Sequence, residues 1–129
     1  MPHALCLLPV RILPLHFAAV VLFFQRLALV VRLLAARECE EETGYRPAEL
    51  VPLGWIWTTP GFTDERIWLF LARGLAAGRQ DLQEDEALSL ERRPLAEAVR
   101  LALGGGIDDG KSIVALLRAA SYLGIAPAP

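Results

Sequence analysis

The nine-residue stretch Arg37–Tyr45, RECEEETGY, marks an abrupt change in the charge pattern of the chain. It contains four glutamates, and no Asp or Glu precedes it. All 15 acidic residues therefore lie between Glu38 and the C-terminus, whereas the only charged residues up to Arg37 are arginines. Such a sharp division is unusual within one ordinary domain.

The spacing of the glutamates predicts one acidic face on a helix. Positions three and four apart share a helix face, so Glu38, Glu41 and Glu42 should project together while Glu40 points elsewhere. Like charges at this spacing repel each other, and a bound cation would offset the repulsion. Mg²⁺ prefers carboxylate oxygens and substrate phosphates as ligands. The charge pattern alone leaves a plain solvated acidic helix end as the alternative.

The residues around the glutamates predict how this helix ends. Gly44 predicts a left-handed C-terminal cap with Tyr45 as its apolar contact, so a helix over Leu27–Thr43 should stop there. Arg37 lies four residues before Glu41, where it can steady one carboxylate.

Bulk properties narrow the class of protein. With 129 residues the chain is expected to form a single domain over residues 1–129. The net charge of −2 predicts no basic surface for nucleic acid. The two cysteines, Cys6 and Cys39, form no CxxC or Cys/His pattern, which favours a reducing, cytoplasmic location over a disulfide framework.

Residues 1–35 are atypical, because they are apolar and carry only arginine charges. The best apolar run, Ile12–Phe24, contains Pro14 and His16 and is shorter than the roughly 20 residues that a membrane span needs. A long apolar helix over Phe17–Ala36 is compatible with the scarcity of breakers. Three interpretations stay open: a shifted reading frame in an Arg-, Ala- and Leu-rich sequence, a divergent native N-terminus, and a membrane or targeting role, which is the weakest.

The remaining sequence predicts one strand or a pair of strands, then a buried strand, then a short strand from Leu88, and finally two helices. The first strand or pair is expected over Leu50–Pro60 and the buried strand over Arg66–Leu75, and the helices over about Pro94–Gly104 and Asp108–Gly124. The strand tryptophans, at positions 55, 57 and 68, are expected in the core rather than at a base-stacking site.

The order of residue types in Arg37–Tyr45 is more specific than its charge. Arg-Glu-apolar-x-Glu-Glu-x-Gly-apolar is the second half of the Nudix box, so the chain resembles the Nudix hydrolases. Three further segments look like parts of the ADP-ribose pyrophosphatase branch: its substrate loop in TTPGFTDE (58–65), its catalytic acidic loop in QEDEALSL (83–90) and the start of its C-terminal helix in GGGIDDGKSIVALL (104–117). The resemblance covers about residues 36–124.

The resemblance implies a fold, a reaction and a set of site residues. The fold would be α+β, a Nudix α/β/α sandwich with a mixed sheet, with an apolar helix in place of N-terminal strands. The reaction would be Mg²⁺- or Mn²⁺-dependent hydrolysis of the pyrophosphate bond of ADP-ribose or a related nucleoside diphosphate sugar, giving AMP and a sugar phosphate, in a homodimer. The implied metal ligands are Glu38, Glu41, Glu42 and Glu86; the catalytic residues are Glu84 and Glu86; the substrate contacts are Thr59, Thr63 and Glu65; and Arg37 and Gly44 are structural supports.

The chain departs from the family in the first half of the box. A full box starts with Gly, five residues, Glu and seven residues before the Arg, and these Gly and Glu positions are occupied here by Phe23 and Leu29. The glycine loop of the family supplies a tight turn and a backbone carbonyl to the metal. The alternative function is therefore a catalytically impaired nucleotide-binding module on the Nudix scaffold.

Overall fold

The computed structural model describes residues 4–10, 17–81 and 91–126, with side chains from Val30 onward within these ranges. The elements are, in chain order, β1 (Ala4–Val10), α1 (Phe17–Thr43), β2 (Tyr45–Trp57), β3 (Arg66–Ala77), α2 (Leu95–Leu103) and α3 (Gly110–Tyr122). The two main strands and the two helices predicted after the acidic stretch are present. β2 runs from Tyr45 to Trp57, so it begins and ends earlier than the predicted Leu50–Pro60. The short strand predicted from Leu88 begins outside the described residues. The helical stretches expected over Phe17–Ala36 and Leu27–Thr43 are one continuous helix, α1.

The described sheet has the order β1-β3-β2, and both pairings are antiparallel. The parallel pairing expected of a mixed sheet is therefore not among the described strands. Sequence reasoning found no strand before α1, yet β1 pairs with β3 from Ala4 opposite Ala72 to Val10 opposite Arg66. The reason is that ALCLLPV is a short, nearly continuous apolar run, whose periodicity does not separate a buried strand from a helix.

One face of β3 packs against α1. The buried side of this helix is the i, i+4, i+8 stripe formed by Val31, Ala35 and Cys39, which lies against Phe70 and Ala72. The small side chains at positions 35 and 39 let the helix approach the sheet closely. This contact fixes the rotation of α1, and it therefore fixes the direction in which the glutamates of its last turn project.

The other face of β3 packs against α3. Leu71 lies against Ala119, and Ile67 and Leu69 lie against Ala115. Fully burying a leucine or phenylalanine is worth about 1.5–3 kcal/mol, so a strand covered on both faces stabilises the fold. Helix, sheet and helix thus form three layers, which confirms the predicted α+β sandwich.

Within the described ranges, no helix combines the length and apolar character needed to cross a lipid bilayer.

Candidate functional site

The acidic stretch forms the end of α1, from Arg37 to Thr43, and the turn into β2. Gly44 adopts φ +71°, the left-handed conformation predicted for the helix cap. Its amide donates to the Glu40 carbonyl at 2.8 Å, and the Thr43 hydroxyl donates to the carbonyl of Cys39. The helix therefore stops within one residue, and β2 starts immediately at Tyr45.

Two of the predicted metal ligands converge on one arginine. Arg37 Nε lies 3.3 Å from Glu41 Oε1, and Arg37 Nη2 lies 3.5 Å from Glu38 Oε1. Both glutamate side chains are about one-third exposed, at 34% and 37%. The guanidinium thus lies between two carboxylates on one helix face, at a position accessible to solvent.

Glu40 points away from this pair and is held by Arg46. The Arg46 guanidinium forms a bidentate contact, with Nε at 3.0 Å from Oε2 and Nη2 at 2.8 Å from Oε1. The hydrogen bond from Arg46 lowers the pKa of the Glu40 carboxyl below its ordinary value of 4.5. Glu40 is therefore ionised and occupied by a partner within the chain.

The helix face that carries Glu38 and Glu41 can be compared with the ligands that a divalent cation requires. Glu38 and Glu41 supply hard carboxylate oxygens that already lie around one cationic group, which is the ligand chemistry that Mg²⁺ prefers. Across the described ranges, no group of three or more His, Cys, Asp or Glu side chains is placed to hold a metal ion. Two further implied residues, Glu84 and Glu86, lie outside the described residues. A cation held by Glu38 and Glu41 would need other ligands besides these two carboxylates.

The three implied substrate contacts lie in one closed loop between β2 and β3. Thr58 Oγ1 donates to Glu65 Oε2 at 2.7 Å, and the Thr58 amide donates to the Glu65 carbonyl at 3.2 Å, which closes the loop at its base. The amides of Phe62 and Thr63 both donate to the Thr59 carbonyl at 2.9 Å. Thr59 and Thr63 are exposed, and the Glu65 side chain keeps one carboxylate oxygen that Thr58 does not use.

The tryptophan prediction was wrong for two of three residues. Trp55 and Trp57 are 37% and 38% exposed, with ring centroids 5.3 Å apart in an edge-to-face contact. Arg66 places its guanidinium 4.7 and 4.4 Å from the two ring centroids. Trp68 is partly buried against the α1 cluster, as predicted. The two exposed rings lie on β2, an edge strand of the described sheet, so one side of this strand has no neighbour there.

Arg118 of α3 holds the part of β2 that carries these rings. Its Nη1 donates to the Leu53 carbonyl at 2.9 Å and to the Trp55 carbonyl at 3.3 Å, across the register shift between Pro52 and Trp55. Gly54 at the shift has φ +86°. Sequence reasoning missed Arg118 because its partners lie more than sixty residues away; the only local signal was the glycine within a strand, which indicates a bulge.

The positions that correspond to the first half of the box are helical. Phe23 and Leu29, at the family's Gly and Glu positions, both lie within α1. The chain is therefore helical where the family pattern requires a turn.

Comparisons with known proteins agree with the family resemblance carried by the second half of the box. The family model described as "NUDIX domain" matches residues 35–116, which is more than half of the chain and begins just before Arg37. This chain is 41% identical over 90 residues to the methanol dehydrogenase activator of Bacillus methanolicus, covering 66% of this chain and 47% of the relative.

Two ADP-ribose pyrophosphatases are also similar. The one from Mycobacterium tuberculosis (strain ATCC 25618 / H37Rv) is 38% identical over 87 residues, covering 66% of this chain and 42% of the relative. The one from Bacillus subtilis (strain 168) is 36% identical over 84 residues, covering 64% and 45%. The chain thus matches somewhat less than half the length of these curated relatives. By the family model and the box residues on the last turn of α1, the chain belongs to the Nudix family.

Proposed function

We propose that this chain hydrolyses the pyrophosphate bond of ADP-ribose or a related nucleoside diphosphate sugar, with Mg²⁺ as the required metal. The observation that carries the proposal is the pair of carboxylates, Glu38 and Glu41, gathered around Arg37 on the exposed face of a helix end. The similarity to two ADP-ribose pyrophosphatases supports the substrate class.

The residues divide into three tasks. Glu38, Glu41 and Glu42, with Glu86, would hold the cation against the diphosphate, and Arg37 would keep two of these carboxylates in place. Mg²⁺, when bound, supplies neutralisation of the diphosphate charge and activation of water. Glu84 would accept the proton of the attacking water. The water oxygen forms a new bond to phosphorus while the bridging P–O bond breaks, giving AMP and ribose 5-phosphate from ADP-ribose.

The substrate loop would orient the sugar. The carboxylate oxygen of Glu65 that Thr58 leaves unused is an acceptor for ribose hydroxyls, and Thr59 and Thr63 add exposed hydroxyls to the same loop. Because a charge-assisted hydrogen bond is worth about 1.5–3 kcal/mol, we expect Glu65→Gln to raise KM for ADP-ribose about 10-fold. Thr63→Val, which removes one hydroxyl, should have a smaller effect.

The decisive measurement is AMP release from ADP-ribose by the purified chain, followed by anion-exchange chromatography. We expect AMP and ribose 5-phosphate with Mg²⁺ and none after chelation with EDTA. Glu38→Gln should abolish turnover, whereas Glu49→Gln, which removes the same charge from an ion pair with Arg73 between β2 and β3, should not. Absence of any nucleoside monophosphate product with Mg²⁺ or Mn²⁺, across ADP-ribose and other nucleoside diphosphate sugars, would contradict the proposal.

The second candidate is a nucleotide-binding module without turnover. It is favoured by the helical conformation at Phe23 and Leu29, where the family has a glycine turn and a glutamate. It predicts that ADP-ribose raises the melting temperature of the chain while no product forms. Product formation in the same sample would exclude it.

Two further expectations belong to the proposal. A homodimer is implied by the resemblance, and light scattering after gel filtration would detect it at twice the 14.2 kDa chain mass. A cytoplasmic location stays a prediction from cysteine usage.

A further inference from the structure

The last turn of α1 is capped by a segment that comes from the end of β3. This segment, Gly78–Asp81, is called the strap. The Asp81 amide donates to the Glu41 carbonyl at 2.8 Å, and Gln80 Nε2 donates to the Glu42 carbonyl at 2.9 Å. Helix C-termini leave their last carbonyls without intrahelical partners, so the strap supplies those partners for the two residues that carry candidate metal ligands.

Glu40 fastens the strap to the helix. Its Oε1 accepts the Arg79 amide at 3.4 Å, and the Gly78 amide beside it donates to the Gly44 carbonyl at 2.8 Å. A Cβ at Gly78 would lie 2.6 Å from Glu40 Oε1 and 3.0 Å from Cγ and Cδ, so a larger residue there would displace the Glu40 carboxylate. Arg46 holds the same carboxylate through two hydrogen bonds.

We infer that Glu40 is a positioning residue for the site: with Arg46 it fixes the strap on the end of α1 and thereby sets the orientation of the turn that bears Glu41 and Glu42. The effect of Glu40 on cation binding rests on the proposed function, because it requires that the site binds a metal ion. Glu40 is the glutamate of the acidic stretch that helical spacing places away from the face of the predicted metal ligands. Its contacts with Arg46 and the strap connect Glu40 to the same site.

The expected loss of cation affinity can be judged from other residues that orient metal ligands without touching the metal. Changing such residues typically alters metal affinity or activity 10–100-fold. Glu40 acts on Glu41 and Glu42 through the strap and the helix backbone, so we expect the low end, about 10-fold weaker cation binding for Glu40→Ala. Glu40→Gln keeps an acceptor oxygen for the Arg79 amide and should lie between the wild type and Glu40→Ala.

A simple charge effect makes the opposite prediction for one variant. Removing the negative charge of Glu40 weakens cation binding even if Glu40 positions nothing. Removing the positive charge of Arg46 should strengthen cation binding by charge alone, but it should weaken binding if Arg46 holds Glu40 in place. Arg46→Gln therefore separates the two explanations by the sign of its effect.

The experiment measures Mn²⁺ binding to the full chain by the electron paramagnetic resonance signal of free Mn²⁺, which needs no turnover. Hydrogen exchange of the Gly78 and Asp81 amides reports the strap directly in the same proteins. The variants are Glu40→Ala, Arg46→Gln and Gly78→Ala, whose added methyl group forces the Glu40 carboxylate to move. Glu49→Gln is the matched control, since it removes a glutamate from an ion pair elsewhere in the sheet.

The inference is supported if Glu40→Ala and Arg46→Gln both weaken Mn²⁺ binding and speed exchange at Gly78 and Asp81, while Glu49→Gln does neither. It is overturned if Arg46→Gln binds Mn²⁺ as tightly as the wild type or more tightly. If the wild type binds no Mn²⁺, the proposed function fails instead. Exchange then decides whether Glu40 holds the strap: faster exchange in Glu40→Ala supports it, and unchanged exchange overturns it.

Discussion

Arg118 allows a quantitative test of how the sheet edge is built. The change is Arg118→Met, which keeps most of the apolar stem and removes the guanidinium. The two lost hydrogen bonds are those to the Leu53 carbonyl at 2.9 Å, which is part-buried, and to the Trp55 carbonyl at 3.3 Å, which is exposed. Hydrogen bonds from charged groups contribute about 1.5–3 kcal/mol and ordinary ones about 0.5–1.5 kcal/mol.

The expected loss is small, because water replaces part of each bond at this half-exposed position. The Leu53 bond is placed at the low end of the range for charged donors, and the longer, exposed Trp55 bond at the low end of the weaker range. About 1.5 kcal/mol for the Leu53 bond and about 0.5 kcal/mol for the Trp55 bond give about 2 kcal/mol in the free energy of unfolding. Urea unfolding followed by circular dichroism and by tryptophan fluorescence measures it. The fluorescence should also change in the folded state, since Trp55 lies at the released bulge.

The control is Arg100→Met on α2, because Arg100 is exposed and its side chain makes no hydrogen bond to any residue within the described ranges. This variant should lie within about 0.5 kcal/mol of the wild type. If Arg118→Met costs no more than Arg100→Met, the carbonyls at the bulge do not depend on the guanidinium, and the reasoning is refuted. A loss accompanied by a changed urea slope would indicate an altered denatured state instead.

Two further stability predictions each concern one residue. Asp109→Ala should cost about 1 kcal/mol, because Asp109 accepts the Ser112 amide at 3.0 Å as the N-cap of α3. Hydrogen bonds from Lys111 and then Ser112 lower the pKa of Asp109 below its ordinary value of 3.8. The contribution of Asp109 to the free energy of unfolding should therefore be complete above pH 3.8 and disappear as the pH falls through the lowered pKa. Urea unfolding at a series of pH values measures this, and a cost of Asp109→Ala that does not change with pH would contradict it. Gly74→Ala should cost more than about 1 kcal/mol, because φ is +63° and the new Cβ would lie 2.9 Å from that of Ala48; a melting temperature equal to the wild type would contradict this.

The parts of the fold that could be predicted depend on local signals. The end of α1 follows from helical spacing, from a glycine that tolerates φ +71° and from the apolar Tyr45 after it. β3 could be predicted because its apolar run, bounded by polar loops, is covered on both faces. β1 could not be identified, because seven apolar residues without alternation fit a strand and a helix equally well.

The parts of the site that could not be predicted depend on contacts between distant segments. Glu40 meets the Arg79 amide across 39 positions, and Arg118 meets the Leu53 carbonyl across 65. No periodicity within a segment encodes such pairs. The exposure of Trp55 and Trp57 was missed for a related reason: aromatic residues fit both buried and edge strands, and the strand order decides which applies.

The missing first half of the box changes what the second half can do alone. In a helix each carbonyl accepts the amide four residues later, so the carbonyl at position 23 is engaged within α1 and does not project from a turn toward a cation. Leu29 contributes no side-chain oxygen. A cation on the last turn of α1 must then take more of its ligands from substrate phosphates and from other segments. Metal binding and nucleotide binding should therefore strengthen each other in this chain, and by linkage the coupling must be equal in both directions. A hydrolase needs that coupling to assemble its site, whereas a module that binds nucleotide through the loop at 58–65 alone does not.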